Sequence, residues 1–435
     1  PMPARLELKW GRVKAAGIAP EKPRREERRE LPLIPSASQL ATRWKLSLSI
    51  IGESLVHATK LLEYLILPLT GGLRRPMIVF DFTGKLAGLA SVKHAAGRVK
   101  VIDGRQVDLT CYEPLDKLSF INAFSTMLGD LGVEAARAAV EEGLTAFLEA
   151  YRHESILKSI AEAQSSLGCM PLEELLDLSK VNVIDLSMVV DPKLRGGIQR
   201  LINLQLYRLA KMGIAIPVAQ PLPPQPPGGW GADMKAAIMD VLSKVEEEAG
   251  LVIALSAYSD VEFMSLTRDI LVSVRSAPSS FLRMLDSIGS GLSKEVVKLP
   301  AWEALYITRE PDGPQVYRVS LVSTDLSLIP QPAIQVQPAR VKAVIEALKS
   351  LSRKELEAAL RLMARARESP IPEHDAKALV KVRRPMKVIN LLVELGVLDW
   401  DLVFTSEGEP MAVFKPTTLT EAVLKELLPK EPYSL

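Results

Sequence analysis

Between Ile50 and Thr59 the chain reads IIGESLVHAT, an apolar run, a glycine and then the start of a helical pattern. A strand-to-helix turn of this kind is where a phosphate-binding loop forms. Such a loop follows G-x-x-x-x-G-K-[ST]: backbone N–H groups wrap the phosphates, the second glycine permits close approach, and the lysine neutralises the β- and γ-phosphates. Gly52 and Thr59 hold the outer positions, but His57 stands in the second glycine's place and Ala58 in the lysine's. The chemistry this spacing would serve is the gripping of a triphosphate. It lacks its fixed cation, and an imidazole fills space the phosphates need.

Other chemistry-bearing residues are sparse. Two cysteines, Cys111 and Cys169, and four histidines, His57, His94, His153 and His374, lie in no metal-type spacing, so neither a zinc site nor a disulfide framework is expected. Asp81 and Asp185 fall at strand ends, where they are expected to cap turn N–H groups rather than to ligate. Lys377, Lys381, Arg383, Arg384 and Lys387 form a basic cluster before and into a helix that precedes a hairpin. Helix-borne cations neutralise DNA phosphates, but no aromatic residues interleave for base stacking, and a solvated charged face reads the same way.

The elements that must position these residues follow from composition and periodicity. At 435 residues the chain has two or three domains' worth of sequence. With 48% apolar and 24% charged residues, wholesale disorder and fibrous architectures are excluded. A net charge of +2 rules out a protein that coats nucleic acid over its whole surface, so any such contact is local. The apolar stretch Leu46 to Leu73 is broken by Glu53, His57, Lys60 and Glu63 and falls short of a membrane span. Pro1 to Pro35 carries charges and no apolar signal core. A soluble, cytoplasmic protein is the expectation.

Residues 1–45 read as a short strand, Arg5 to Trp10, and a mixed-charge arm containing Glu21 to Glu30. From there strands alternate with helices. Strands are expected at Leu46 to Ile51, Met77 to Phe82, Val99 to Ile102, Asn182 to Leu186, Gly213 to Val218, Leu251 to Leu255 and Ile270 to Val274. Helices are expected at Ala58 to Leu67, Leu194 to Met212 and Met234 to Ala249, with a helical insertion over 115–178 and a proline-rich loop from Gln220 to Gly231. The alternation predicts an α/β fold, a mostly parallel sheet with helices on both faces, across 46–340. Two further strands, Ala304 to Ile307 and Val316 to Val322, precede a long helix, Arg340 to Arg367. Residues 341–435 read as a helical or winged-helix-like module: helix, helix, a hairpin through Trp400 to Phe414, helix.

The segment PMIVFDFTGKLAGL (Pro76 to Leu89) resembles the strand and turn of the HerA, FtsK and type IV secretion ATPases, with Asp81, Gly84 and Gly88 matching and Lys85 in place of the usual Glu. In the same order, Gly104 to Leu131 is similar to their lead into a helical insertion, Asn182 to Ile202 to their strand-plus-helix, and Pro330 to Val341 to their closing proline-rich strand. The resemblance spans Leu46 to Arg340 and implies a RecA-like core. It also implies a Walker B strand ending in Asp-Glu, for Mg²⁺ and water. That place is held by Ala215 to Gln220, with Ala219 and Gln220 where the acids belong. Ser256 stands where the family's sensor places a polar residue, often Gln, and Arg275 resembles a basic residue that reaches a neighbour's nucleotide in trans.

With the nucleotide-handling groups replaced at separate places, the resemblance implies a non-catalytic HerA-like subunit needing no cofactor. It would work within a DNA-translocating or DNA-processing assembly, as a homo-oligomer or with an active ATPase or nuclease. The alternative is a DNA-binding protein that uses its C-terminal module on an inert core.

Overall fold

A computed structural model describes residues 31, 33–34, 47–71, 76–91, 97–109, 141–142, 165–223, 231–300, 302–321, 336–404 and 410–428. Pro32–Leu435 form one compact unit. Its centre is a ten-stranded sheet. The strands are β1 (Leu33–Ile34), β2 (Ser47–Gly52), β3 (Met77–Asp81), β4 (Val99–Asp103), β5 (Val181–Asp185), β6 (Val218–Pro221), β7 (Leu251–Ser256), β8 (Asp269–Ser273), β9 (Glu303–Glu310) and β10 (Gly313–Ser320). They lie in the order β1-β10-β9-β8-β2-β7-β6-β3-β5-β4. Every pair from β8 through to β4 is parallel, while β9 and β10 add an antiparallel hairpin beside β8.

Both faces are covered, which is why these strands are continuous apolar runs instead of alternating ones. On one face α1 (Leu55–Gly71) lays Ala58, Leu61, Leu62 and Leu65 into a cluster with Leu48 and Ile50 of β2, Val79 of β3, Ala219 of β6 and Ala254 of β7. The other face carries α2 (Pro192–Lys211), which packs against α3 (Ala232–Ala249) and hydrogen-bonds β6 through Gln199 and Asn203. Each fully buried Leu or Ile contributes about 1.5–3 kcal/mol. Asp191 caps α2 by accepting from the Leu194 N–H at 2.8 Å, with Pro192 in the first turn where its missing N–H costs nothing.

The sheet is mostly parallel, as the strand-helix alternation predicted, with three differences of detail. The strand expected at Gly213 begins only at Val218. Gly213 and Ile214 are consumed in ending α2: Gly213 adopts φ 89°, and the Ile214 N–H returns to the Leu209 carbonyl at 2.9 Å, a Schellman-type closure. The single helix expected over Arg340 to Arg367 is two, α4 (Pro338–Lys349) and α5 (Arg353–Glu368). A capping box breaks it, Ser352 and Glu355 each accepting the other's backbone N–H. Pro338 to Val341, expected to end a strand, instead open α4, Pro338 sitting where helices tolerate it.

After α5 come β11 (Ile371–Pro372), α6 (Glu373–Leu379), α7 (Pro385–Glu394), β12 (Leu398–Phe404), β13 (Pro410–Pro416) and α8 (Thr418–Leu427). The strands form a three-stranded antiparallel sheet, β11-β13-β12. Helix, short strand, helix, helix, hairpin is the order of a winged helix, with one strand more than the hairpin the sequence suggested. This module packs on the core, since α7 and β12 both contact α1. Arg5 to Trp10, Glu21 to Glu30, most of the 115–178 insertion and residues 224–230 of the proline-rich loop lie outside the described residues. Among the described residues no helix is long and apolar enough to cross a membrane.

Candidate functional site

At the C-terminal end of the sheet Gly52 is the register partner of Ser256 on one side and Ser273 on the other. The chain then turns through Glu53 and Ser54 and is helical from Leu55. Ser54 caps α1: its Oγ accepts the His57 N–H at 3.2 Å and its carbonyl accepts the Ala58 N–H at 3.0 Å. A phosphate-binding loop arches its central residues around a ligand; here residues 55–59 are helical instead. His57, Ala58 and Thr59 therefore sit on the opening turns of α1. A Cβ on Gly52 would lie 2.6 Å from the Ala58 backbone nitrogen, so the glycine is needed because the helix start presses on the strand end. Ala58 is fully buried, and the Thr59 hydroxyl donates to the Leu55 carbonyl at 2.7 Å.

The outer side of this turn is covered by the winged module. His57 packs on Trp400, ring centroids 4.8 Å apart and tilted by 55°. Its Nδ1 accepts the Glu53 N–H at 3.4 Å, and its buried Nε2 has no hydrogen-bond partner. Burial lowers the imidazole pKa to about 4, against the opposing pull of Glu53 and Glu373, so the ring is neutral near pH 7. Arg275 is tied within the chain. Its backbone N–H donates to Glu53 Oε1 at 2.7 Å, and its guanidinium donates to both oxygens of Glu373 at 3.1 and 3.0 Å. Glu373 also accepts from Trp400 Nε1 at 3.4 Å and pairs with Lys377 at 3.0 Å. Burial alone would raise the Glu373 pKa, but Arg275 and Lys377 hold it below the ordinary range. To reach a neighbouring subunit Arg275 would have to release both carboxylates.

One turn further along α1 lies a buried ion cluster. Lys60 reaches Asp399 at 2.9 Å and Glu63 at 3.4 Å, while Lys85 reaches Asp399 at 2.7 Å and Glu63 at 3.3 Å. Asp401 of the same strand accepts from Tyr64 and Lys415. Burial by itself would lower the Lys60 pKa and raise that of Asp399. Their mutual attraction, with Glu63 and Lys85 contributing, wins in both cases and keeps the pair ionised. Lys85, where the family pattern has Glu, is thus one of the cations joining core to module.

The register of β6 corrects the place given to Ala219 and Gln220. They lie inside the strand, not after it. Ala219 faces α1, and Gln220 faces α2, accepting from Gln199 at 2.7 Å and Asn203 at 2.9 Å. The residues that leave this strand, Leu222 and Pro223 after Pro221, are likewise not acidic. Ser256, beside Gly52, accepts the Tyr258 N–H at 3.3 Å, and its own N–H donates to Asp260 at 3.0 Å. Asp81 does what its strand-end position predicted: it accepts the N–H groups of Thr83, Gly84 and Ala87 at 3.0, 2.9 and 2.8 Å. Asp185 likewise accepts the Ser187 N–H at 2.8 Å.

The basic cluster divides. Lys377 is paired with Glu373, and Lys387 with Glu355 at 3.0 Å. Lys381, Arg383 and Arg384 are exposed in the turn between α6 and α7 and make no ion pair among the described residues. Leu391, Val393 and Glu394 of α7 line a cavity shared with α1, so this helix is turned toward the core and not fully open to a DNA groove.

The structure places Gly52, His57, Ala58, Thr59 and Ser256 at one end of the sheet, and beside them Trp400, Glu373 and Asp399, which sequence reasoning did not single out. The alternation of Leu398 to Leu402 was the available signal, because it places Asp399 and Asp401 on the face opposite Trp400. Among the described residues no group of His, Cys, Asp and Glu is arranged to hold a metal.

Neither a protein-family model nor a curated protein matches the sequence. Among solved structures the chain is similar to VirB4 of Thermoanaerobacter pseudethanolicus, at 10% identity over 65% of this chain and 90% of that one, with a TM-score of 0.43. It is also similar to the unbound bacterial conjugative coupling protein TrwBΔN70, at 15% identity over 67% and 86% of the two chains, TM-score 0.40. The plasmid coupling protein TrwB with the ATP analogue ADPNP aligns at 14% identity over 67% and 87%, TM-score 0.35.

Proposed function

We propose that this chain is a HerA-like ATPase relative that has given up hydrolysis and serves as a structural or regulatory subunit of a DNA-translocating or DNA-processing assembly. The observation that carries the reading is the occupied turn: where phosphates would lie, His57 is packed against Trp400, and Arg275 is clamped between Glu53 and Glu373. Lysine, Mg²⁺-binding acid and water-orienting acid would each supply several kcal/mol to the transition state, and about 1.4 kcal/mol is a tenfold change in rate. Without them the purified chain is expected to turn over no ATP above background, and Mg-ATP to leave its melting temperature unchanged. Turnover of about 1 s⁻¹, a common enzyme rate, would refute this. Light scattering on the chain alone and mixed with an active ATPase of the family tests the subunit role, which a strict monomer without partner would defeat.

The exposed cations Lys381, Arg383 and Arg384 favour a second reading, DNA binding by the module. The doubly reversed variant Arg383→Glu/Arg384→Glu should then lose affinity and flatten the salt dependence of binding. Unchanged affinity and slope would remove this reading and leave the first intact.

A further inference from the structure

A cavity of about 250 Å³ lies between α1, the Phe82 to Lys85 turn, the start of α2 and the module. For scale, a cavity of about 150 Å³ accepts benzene. Its walls are mostly apolar, with Leu55, Val56, Phe82, Leu391 and Trp400 among them. Three lining cations, Lys60, Lys85 and Lys415, already have carboxylate partners. The fourth differs. Arg195, 5% exposed, spends its Nε on the Val189 carbonyl at 2.8 Å and lays its guanidinium over the Phe82 ring, 5.0 Å from the centroid. Its terminal nitrogens have no hydrogen-bond acceptor among the described residues. The carboxylate that acts on it most strongly is Glu394, exposed on the lining, with no hydrogen bond between them among the described residues.

We propose that this cavity binds a small monocarboxylate with an aromatic or short apolar body, its carboxylate taken by the fork of Arg195. A guanidinium pinned through Nε presents its remaining N–H groups in the planar pair that fits a carboxylate. The apolar walls supply the burial that makes such ligands bind. Two features limit the ligand to a single negative charge: only one cation is unsatisfied, and Glu394 faces the same space. A phosphate dianion would meet that carboxylate. Burial lowers the Arg195 pKa only to about 10, so the guanidinium stays charged at neutral pH. The cavity borders the turn after Gly52, sharing Thr59 and Trp400 with it, but Arg195 lies outside that turn and the benzoate readout does not depend on whether the chain hydrolyses nucleotide.

The test is calorimetric titration and thermal shift of the full chain at pH 8 with sodium benzoate, benzyl alcohol as its neutral counterpart, and inorganic phosphate. Benzoate is expected to bind saturably, and benzyl alcohol and phosphate at least about tenfold more weakly, the factor set by charge-assisted hydrogen bonds. Arg195→Met should weaken benzoate by a similar factor while leaving benzyl alcohol unaffected. Should that variant fail to fold, Glu394→Gln decides: removing the competing charge should tighten benzoate severalfold. No benzoate binding at about 10 mM, a weak-binding ceiling, would overturn the proposal, as would equal binding of benzyl alcohol or an unchanged or weaker affinity in Glu394→Gln.

Discussion

If the turn after Gly52 is closed in solution, His57 reports it. The imidazole is lowered from 6.5 to about 4 because Trp400 and the helix start keep water from it. A group whose folded pKa lies below its unfolded value favours the folded state when deprotonated. Stability is therefore whole above pH 6.5 and falls as the pH drops toward 4. Within that window the unfolded chain binds one more proton, so the slope is about 1.4 kcal/mol per pH unit and the whole effect roughly 3 kcal/mol. Urea midpoints measured from pH 8 to pH 5 on the native chain and on His57→Phe isolate this contribution, because every other titrating group cancels in the difference. Phenylalanine keeps a ring on Trp400 and gives up only the long 3.4 Å bond from Glu53, an offset independent of pH. Between pH 6.5 and 5 the gap between the two curves should change by about 2 kcal/mol. Parallel curves would mean that His57 is hydrated, that the turn is open to solvent, and that the reasoning from an occupied site is wrong.

Asp399→Asn leaves the buried Lys60 and Lys85 with one carboxylate, Glu63, between them, and chemical denaturation should show a loss of about 3–5 kcal/mol; a loss below about 1 kcal/mol, the scale of an exposed pair, would mean that the cluster is hydrated. Gly52→Ala places a methyl against the backbone of Ala58, where no flexible atom can yield, and should cost about 1–3 kcal/mol as overpacking does. A neutral result by calorimetric melting would mean that the helix start is not pressed on the strand.

The sheet was legible because buried parallel strands leave an unmistakable trace. Met77 to Phe80 and Leu251 to Leu255 are apolar at every position up to the polar residue that ends each strand, as cover on both faces requires. That Ala58 stands where a phosphate-binding pattern would have lysine was legible because Gly52 and Thr59 keep the spacing of that pattern. What covers the turn was not. Trp400 and Glu373 are more than 300 residues from His57 in sequence, so no local pattern links them. The five-residue delay in the start of β6 was hidden for a different reason: Gly213 and Ile214 look like strand, but the end of α2 needs their backbone groups.

The side chains and the backbone of the turn after Gly52 are fitted to one another, which bears on whether it could take a triphosphate. Ser54 has taken the His57 N–H on its side chain and the Ala58 N–H on its carbonyl, so two donors that an arching loop would offer to phosphate are already used. Ala58 points into the core beside Leu61 and Ile50 and has no exposed surface. Ala58→Lys would therefore bury an ammonium with no carboxylate in place for it. The expected outcome is a loss of several kcal/mol of stability, as for other unpaired buried charges, with no gain in Mg-ATP binding by titration calorimetry. Tight binding of Mg-ATP to that variant would show that the helix start can unwind into a loop, and that only a side chain separates this chain from a working nucleotide site.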